Sequence, residues 1–377
     1  MQTEKRNAAV DFWRGFVLIS IFINHIPGNV LGYVTPRNVA FSDAAEAFVF
    51  LSGVSVSMAY GARIAGAPGR TAATLWRRAG KLYLAHVVLT LVGLALFGLA
   101  YEATRNLAFL IDDGRDVALI EPVVGLAGVL SLGHQIGHYN ILPLYVLLLV
   151  AAPAFLLAAT RSPLGMLLAS VGIYAAARWF ALALPSWPTP EGGFFFNPFA
   201  WQLVFAFGLY AGSWMRARSI PLVGPAYAVA FAVVLVSAVL NSNVFGLLPG
   251  LVDAAGLYLD WDKTWLGTVR LLNFLSLAYV LYHSPITAAL RATPVFAPVA
   301  LLGRHSLEVF CAGTLLSSIG LILTETLPRS ILFDVAYVAI GIVLLHQLAR
   351  RLECSDQATR SSATAGAPGS APASARS

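Results

Sequence analysis

Chemistry can begin in the first apolar stretch of the chain, which carries both Arg14 and His25. On a helix rising 1.5 Å per residue the two stand about 16 Å apart along the axis. Arg14 then falls at one edge of the stretch and His25 inside it. A histidine in a bilayer is costly unless something satisfies it, so its presence marks a functional candidate. Imidazole titrates near neutral pH and serves as a general base. The structural alternative is a buried His25 bonded to Asn24 or to a neighbouring helix, with Arg14 reaching its head to the interface.

Two carboxylates that could orient such a base follow at Asp43 and Glu46. A carboxylate beside a histidine fixes its tautomer and stabilises the imidazolium. Asp-x-x-Glu at a helix start is also the pattern of a capping box, so the spacing leaves both roles open. Ser52, Gly53, Ser55 and Ser57 then give the second helix a small-residue face suited to close packing.

Arg63, Arg70, Arg77, Arg78 and Lys81 form a dense basic cluster. Topology accounts for part of it, and anionic lipid head groups are another use. Together with Arg14 and Arg304 the cluster could also clamp a phosphorylated donor. Arg178 and Arg270 lie inside apolar stretches, where an unpaired cation is unfavourable. They either reach the interface or face a cavity, where a guanidinium grips a small carboxylate bidentately. Two further runs, GGFFFNPFAWQ at 192–202 and QIGHYNILPLY at 135–145, are rich in aromatic and amide side chains. They suit an interfacial belt or stacking platforms for a sugar, with Tyr139, Asn197, Trp201 and Gln202 as contacts.

No GxSxG, Walker A, HExxH or CxxC pattern is present. The two cysteines, Cys311 and Cys354, offer neither a disulfide framework nor a metal site.

The elements that must position these residues follow from composition. The chain has 377 residues, 58% hydrophobic and only 11% charged. A soluble domain carries about 25% charge, so a soluble surface cannot be covered. A net charge of +6, with its basic residues mostly at segment edges, also argues against nucleic acid as partner. Ten apolar segments are long enough to span: 12–33, 44–61, 82–101, 141–160, 163–183, 199–215, 221–240, 266–286, 306–324 and 331–349. An eleventh stretch, 117–132, is interrupted by Glu121, Pro122 and several glycines. The expectation is an all-α polytopic membrane protein with a retained first helix. Basic residues crowd one set of loops, and the alternate loops hold only Arg37, Arg105, Arg115, Lys263 and Arg329. That asymmetry puts both termini in the cytoplasm. Most carboxylates, among them Asp253, Glu191 and Asp260, fall on the other side. A membrane domain over 1–352 and a disordered cytoplasmic tail over 353–377, rich in Ser, Ala, Gly and Pro, complete the reading.

The blocks DFWRGFVLISIFINH, DAAEAFVFLSG, NILPLY, FNPFAWQLVFAFG and GRHSLEVF, in this order, resemble the OpgC family, and the resemblance runs to about residue 350. The Arg14 and His25 spacing is also similar to the helix-one motif of acyltransferase type 3 proteins. OpgC proteins succinylate osmoregulated periplasmic glucans in the bacterial inner membrane. The resemblance implies ten helices around a tunnel, with succinyl-CoA or acetyl-CoA docking from the cytoplasm as cosubstrate, a periplasmic glucan as acceptor and lipid around both. It implies no tightly bound cofactor or metal. His25 becomes the general base and Asp43 or Glu46 its orienting carboxylate. Arg14, Arg77, Arg78 and Arg304 become contacts for CoA phosphates, and an extended pantetheine arm is of the same order as the helical distance from Arg14 to His25. Arg178 or Arg270 is expected to pair with the distal carboxylate of a succinyl group. Acetyl transfer to another envelope polysaccharide or glycolipid, an anion or proton pathway, and a lipid-binding scaffold are the rival readings.

Overall fold

A computed structural model describes residues 7–186, 193–242 and 259–365. Lys5, Arg6, Glu191, Gly192, Asp253 and Arg376 lie outside the described residues, as does the part of the expected tail after 365. Among the described residues the chain is helical, without strands. The helices are α1 (Ala8–Asn24), α2 (Ala44–Tyr60), α3 (Pro68–Thr104), α4 (Ala108–Ile111), α5 (Arg115–Ile120), α6 (Pro122–Leu130), α7 (Ile141–Arg161), α8 (Pro163–Trp179), α9 (Pro198–Ala217) and α10 (Gly224–Ser242). They continue as α11 (Thr268–His283), α12 (Ile286–Arg291), α13 (Phe296–Arg304), α14 (Ser306–Thr326) and α15 (Ile331–Ala365).

Each of the ten apolar segments overlaps a helix, namely α1, α2, α3, α7 to α11, α14 and α15. Among the described residues, five stretches are long and apolar enough by themselves to cross a membrane: Pro68–Thr104, Gly137–Arg161, Gly224–Asn241, Ser306–Thr326 and Ile331–Thr359. Helices α1 and α2 have 17 residues each, short of the about 20 that a perpendicular crossing takes. The first apolar segment is cut at residue 24 because Pro27 cannot continue a helix and Gly28 takes a positive φ of 65°. His25 therefore caps α1 instead of lying within it. The 117–132 stretch is two short helices, α5 and α6, broken at Glu121 with Pro122 as the first residue of the second.

Two helices exceed a single crossing. The first two dozen ångströms of the 37-residue α3 carry Arg70, Arg77, Arg78 and Lys81, at a rise of about 1.5 Å per residue. Helix α15 runs 35 residues to Ala365, so it passes the boundary expected at 352/353 without interruption. Just past that boundary Glu353 ties the helix to α13: it accepts from Arg304 Nη1 at 3.1 Å and meets His305 Nε2 at 2.9 Å.

Close helix approach rests on glycine. A side chain at Gly53 would overlap the Phe205 carbonyl, and one at Gly208 would overlap that of Phe50, so α2 and α9 touch backbone to backbone. Gly15 and Gly303 play the same part between α1 and α13, against the carbonyls of Val299 and Asp11. In lipid, where apolar burial between helices gains little, such contact lets dispersion forces hold the pair. These two pairings fix α1 and α2, which carry His25 and Asp43 at their neighbouring ends.

Candidate functional site

A cavity of about 920 Å³ opens at the end of the helices where α1 stops and α2 and α7 begin. His25, Asn24, Arg37, Asp113, Gln135, His138, Asn140, Phe195, Phe196 and Lys263 line it. A narrow extension of about 70 Å³ runs from it toward the core, still lined by His25, Arg37, His138, Asn140 and Lys263, and adding Asp43, Ile141 and Phe310. Toward the other end of α2 lies a second cavity of about 500 Å³, lined by Phe48 and Tyr60 of that helix, by Leu142 and Tyr145 near the start of α7, and by Arg77, Arg78, Lys81, Arg304 and Glu308. Phe310 lines both the narrow extension and this basic cavity. Its ring packs 5.8 Å from Phe48, which in turn meets Tyr145 edge-on at 5.8 Å. Apolar side chains about one layer thick thus separate the two spaces.

His25 is held at the end of α1 by its backbone N–H, which donates to the Ile21 carbonyl at 3.1 Å. Its Nδ1 is buried and has no hydrogen-bond partner among the described residues. The ring lies flat against His138, centroids 4.4 Å apart and planes 10° from parallel. His138 sits on a 3₁₀ turn, Gly137–Tyr139, where Gly137 takes a positive φ of 46°. The next residue, Tyr139, anchors that turn: its hydroxyl is 2.9 Å from Ser318 Oγ.

The two carboxylates serve the helix first. Asp43 Oδ1 accepts from the Ala45 N–H at 2.8 Å, and Glu46 Oε2 accepts from the Asp43 N–H at 2.8 Å, completing the capping box. Each also meets a cation. Arg270 Nε donates to Glu46 Oε1 at 2.7 Å and its Nη2 lies 3.3 Å from Asp43 Oδ2, while Lys263 Nζ donates to Asp43 Oδ2 at 2.6 Å. Burial pushes the Asp43 carboxyl up, but Lys263 and Arg270 outweigh it and hold the group well below the usual carboxylate range. Neither carboxylate hydrogen-bonds His25. Asp43 shares the narrow chamber with it and acts across space, whereas Glu46 is fully buried behind.

Several residues expected at the site line none of these three cavities and bond to neighbouring helices and loops. Arg14 is buried, donates to the Gly303 carbonyl at 3.2 Å and to Ser55, and lies 3.5 Å from Asp11, tying α1 to α13 and α2. It does not line the basic cavity, whereas Arg77, Arg78 and Arg304 do. Arg178 pairs with Asp260 at 2.8 Å and donates to the Trp265 carbonyl at 3.0 Å. Arg270 is taken up by Glu46 and Asp43, and neither arginine lines the cavities described above. Asn197 caps α9 through the Phe199 N–H and donates to the Leu182 carbonyl, Trp201 donates to the Lys263 carbonyl, and Gln202 is bonded to Ser170. All three are buried, as is Tyr139. They fasten the 259–267 segment and the aromatic run against α8 and α9, and Phe195 and Phe196 of that run reach the wide cavity. Arg37 and Lys263 are cavity residues that the sequence marked only as loop charges, while His138 and Asn140 fall in the 135–145 run without an assigned role.

Among the described residues, no group of three or more His, Cys, Asp or Glu side chains is placed to hold a metal ion. The arrangement can bind anionic groups in the basic cavity, and can move a proton at an imidazole in the other.

Fold and site together define an all-helical membrane protein with a polar, histidine-lined cavity set against a membrane-embedded core. The sequence model of the OpgC protein matches residues 6–357, and the chain belongs to the OpgC family. Its class is accordingly that of membrane acyltransferases acting on glucans. No curated protein and no solved structure matches the chain.

Proposed function

We propose that the protein moves a succinyl or other short acyl group from cytoplasmic acyl-CoA to hydroxyls of a periplasmic glucan, with His25 as general base. One observation carries this reading. A histidine-lined cavity at the start of α2 and a basic cavity reaching Tyr60 at its far end share Phe310 in their walls. A donor held by its phosphates at one end can then present a thioester at the other. In this reading the helices of all ten apolar segments cross the bacterial inner membrane, the shorter ones with their flanking loops, both termini are cytoplasmic, and the His25 cavity opens to the periplasm.

Arg77, Arg78, Lys81 and Arg304 match the phosphates of CoA, since guanidinium groups bind phosphate oxygens through paired, charge-assisted hydrogen bonds. The thin arm of the donor passes Phe310 into the narrow chamber. A glucan hydroxyl, seated in the wide cavity against Phe195 and Phe196, gives its proton to the His25 imidazole as its oxygen attacks the thioester carbonyl carbon. The C–S bond of the resulting tetrahedral adduct breaks, and the proton passes from His25 to the departing thiolate. An ester and free CoA result. The C-terminal end of α1 favours the positive imidazolium while it lasts, whereas Lys263 offsets the field of Asp43. Asn140, whose amide lines both parts of the cavity, is the donor nearest in kind to an oxyanion contact.

The test is mass spectrometry of periplasmic glucans from cells with the protein, without it, and with His25→Ala. Added masses of one succinyl or one acetyl per site, lost in both other strains at equal protein level, are expected. Unchanged glucans in the strain lacking the protein would refute the reading.

A further inference from the structure

The charges around His25 do not cancel. The narrow chamber is lined by one carboxylate, Asp43, and two permanent cations, Arg37 and Lys263. Lys263 stands 2.6 Å from Asp43 and is matched by it. Behind them Arg270 is matched by Glu46 at 2.7 Å. Arg37 alone of these cations has no ion pair or side-chain hydrogen bond among the described residues, yet it lines both the wide cavity and the narrow extension with His25. Among the described residues, the place where a thioester carbonyl would meet the base therefore holds one surplus positive charge.

Arg37 is not on a wandering loop. It is the middle residue of a 3₁₀ turn, Pro36–Asn38, whose first residue fixes φ. Just before the turn, Thr35 Oγ1 donates to Asn24 Oδ1 at 2.7 Å, which joins the loop to the residue preceding His25. On the other side the Arg37 carbonyl accepts from Asn241 Nδ2 at 2.8 Å. Both attachments hold the backbone, leaving the guanidinium for something else.

We infer that Arg37 is the specificity-determining residue for the acyl group and binds the distal carboxylate of a dicarboxylic acyl chain while its thioester end faces His25. A carboxylate accepts two parallel hydrogen bonds from a guanidinium, and it neutralises the surplus charge that an acetyl group leaves unmet. The assignment rests on the acyl-transfer reading. It replaces Arg178 and Arg270 in that role, because both are already paired.

The experiment compares wild type, Arg37→Gln and Arg37→Lys as full-length protein in proteoliposomes, with glucan extracted from cells lacking the protein as acceptor. Succinyl-CoA and acetyl-CoA are supplied in turn, and kcat/KM is measured for each. Thermal unfolding and size-exclusion profiles check the fold of each variant. The expected result is that Arg37→Gln lowers the succinyl-to-acetyl ratio at least tenfold, and that Arg37→Lys, which keeps the charge, recovers part of it. Equal losses for the two donors, or a lysine variant no better than glutamine, would overturn the assignment while leaving acyl transfer intact. No transfer from either donor by the wild type would overturn the acyl-transfer reading and this assignment with it.

Discussion

The imidazole rings of His25 and His138 lie face to face, with 4.4 Å between centroids and 10° between planes. A parallel pair cannot share a hydrogen bond, and His25 Nδ1 has no other partner among the described residues. Ring packing, not a carboxylate, therefore sets the plane of His25. His138→Ala should lower kcat by roughly 10- to 100-fold through lost orientation and leave the KM for acyl-CoA near its wild-type value. His138→Phe, which keeps a flat ring, should retain more activity than His138→Asn, which keeps only the polarity. Steady-state kinetics on the three variants checks the order; Asn outperforming Phe would assign His138 a hydrogen-bonding role instead.

Phe310 stands in the wall of both cavities and packs 5.8 Å from Phe48. Closing that layer keeps water from one space out of the other, and exclusion of water protects a reactive thioester from hydrolysis. Phe310→Ala should raise the rate at which acyl-CoA is hydrolysed without an acceptor and reduce the fraction of acyl groups reaching glucan. Phe310→Trp should slow transfer without raising hydrolysis. Free-thiol release measured with and without glucan separates the two effects. Unaltered coupling in both variants would show that the donor takes another path.

Much of the helical layout was legible because long apolar runs leave few alternatives in lipid. Residue types at the site were legible too, but their directions were not. Asp43 and Glu46 spell a capping box, and the structure forms it, yet the cation that joins them comes from Arg270, 224 residues away. Asn197, Trp201 and Gln202 read as sugar contacts because amides and aromatics bind sugars. They are buried because loop carbonyls at Leu182 and Lys263 and the Ser170 hydroxyl need partners in an apolar surrounding. Local spacing cannot distinguish these uses. The sequence assigns His138 and Arg37 no role for a related reason: a loop residue gains meaning only once the fold brings it beside α1. The continuation of α15 past 352 was hidden as well, since composition there favours disorder and only the contact of Glu353 with Arg304 and His305 shows what it packs against.

The four groups Asp43, Glu46, Lys263 and Arg270 form two matched pairs, and removing one member leaves a buried charge without its partner. Glu46→Gln or Arg270→Gln should destabilise the protein by about 3–5 kcal/mol, seen as a lower unfolding temperature in detergent. Their effect on succinyl and acetyl transfer should be equal, because neither side chain lines the cavities described above. The pH dependence has a definite sign. The folded Asp43 carboxyl ionises at lower pH than an unfolded one, so its stabilisation is complete above the unfolded value near 4 and lost as pH falls through the folded value below it. Thermal stability should therefore show no loss from this group between pH 8 and pH 5. A decline in that window present in wild type and absent in Asp43→Asn would contradict the ion-pair assignment.

Arg77, Arg78, Lys81 and Arg304 surround the basic cavity, and their value in binding a donor should appear in KM rather than kcat. A hydrogen bond to a charged group contributes about 1.5–3 kcal/mol, and each 1.4 kcal/mol is about a factor of ten in affinity. Arg78→Ala should accordingly raise the KM for acyl-CoA about tenfold or more, with kcat little changed. Added salt should weaken donor binding in the wild type and less so in the variant, since screening acts on the charge that has been removed. Acyl derivatives of dephospho-CoA, which lack one phosphate, should narrow the difference between wild type and variant at whichever residue contacts that phosphate. Arg14→Gln offers the contrast: this side chain ties α1 to α13 and α2, outside the cavity lining. It should lower the unfolding temperature while leaving the salt dependence of KM as it was. A salt-insensitive KM in the wild type, with Arg78→Ala indistinguishable from it, would mean that the phosphates of the donor bind elsewhere.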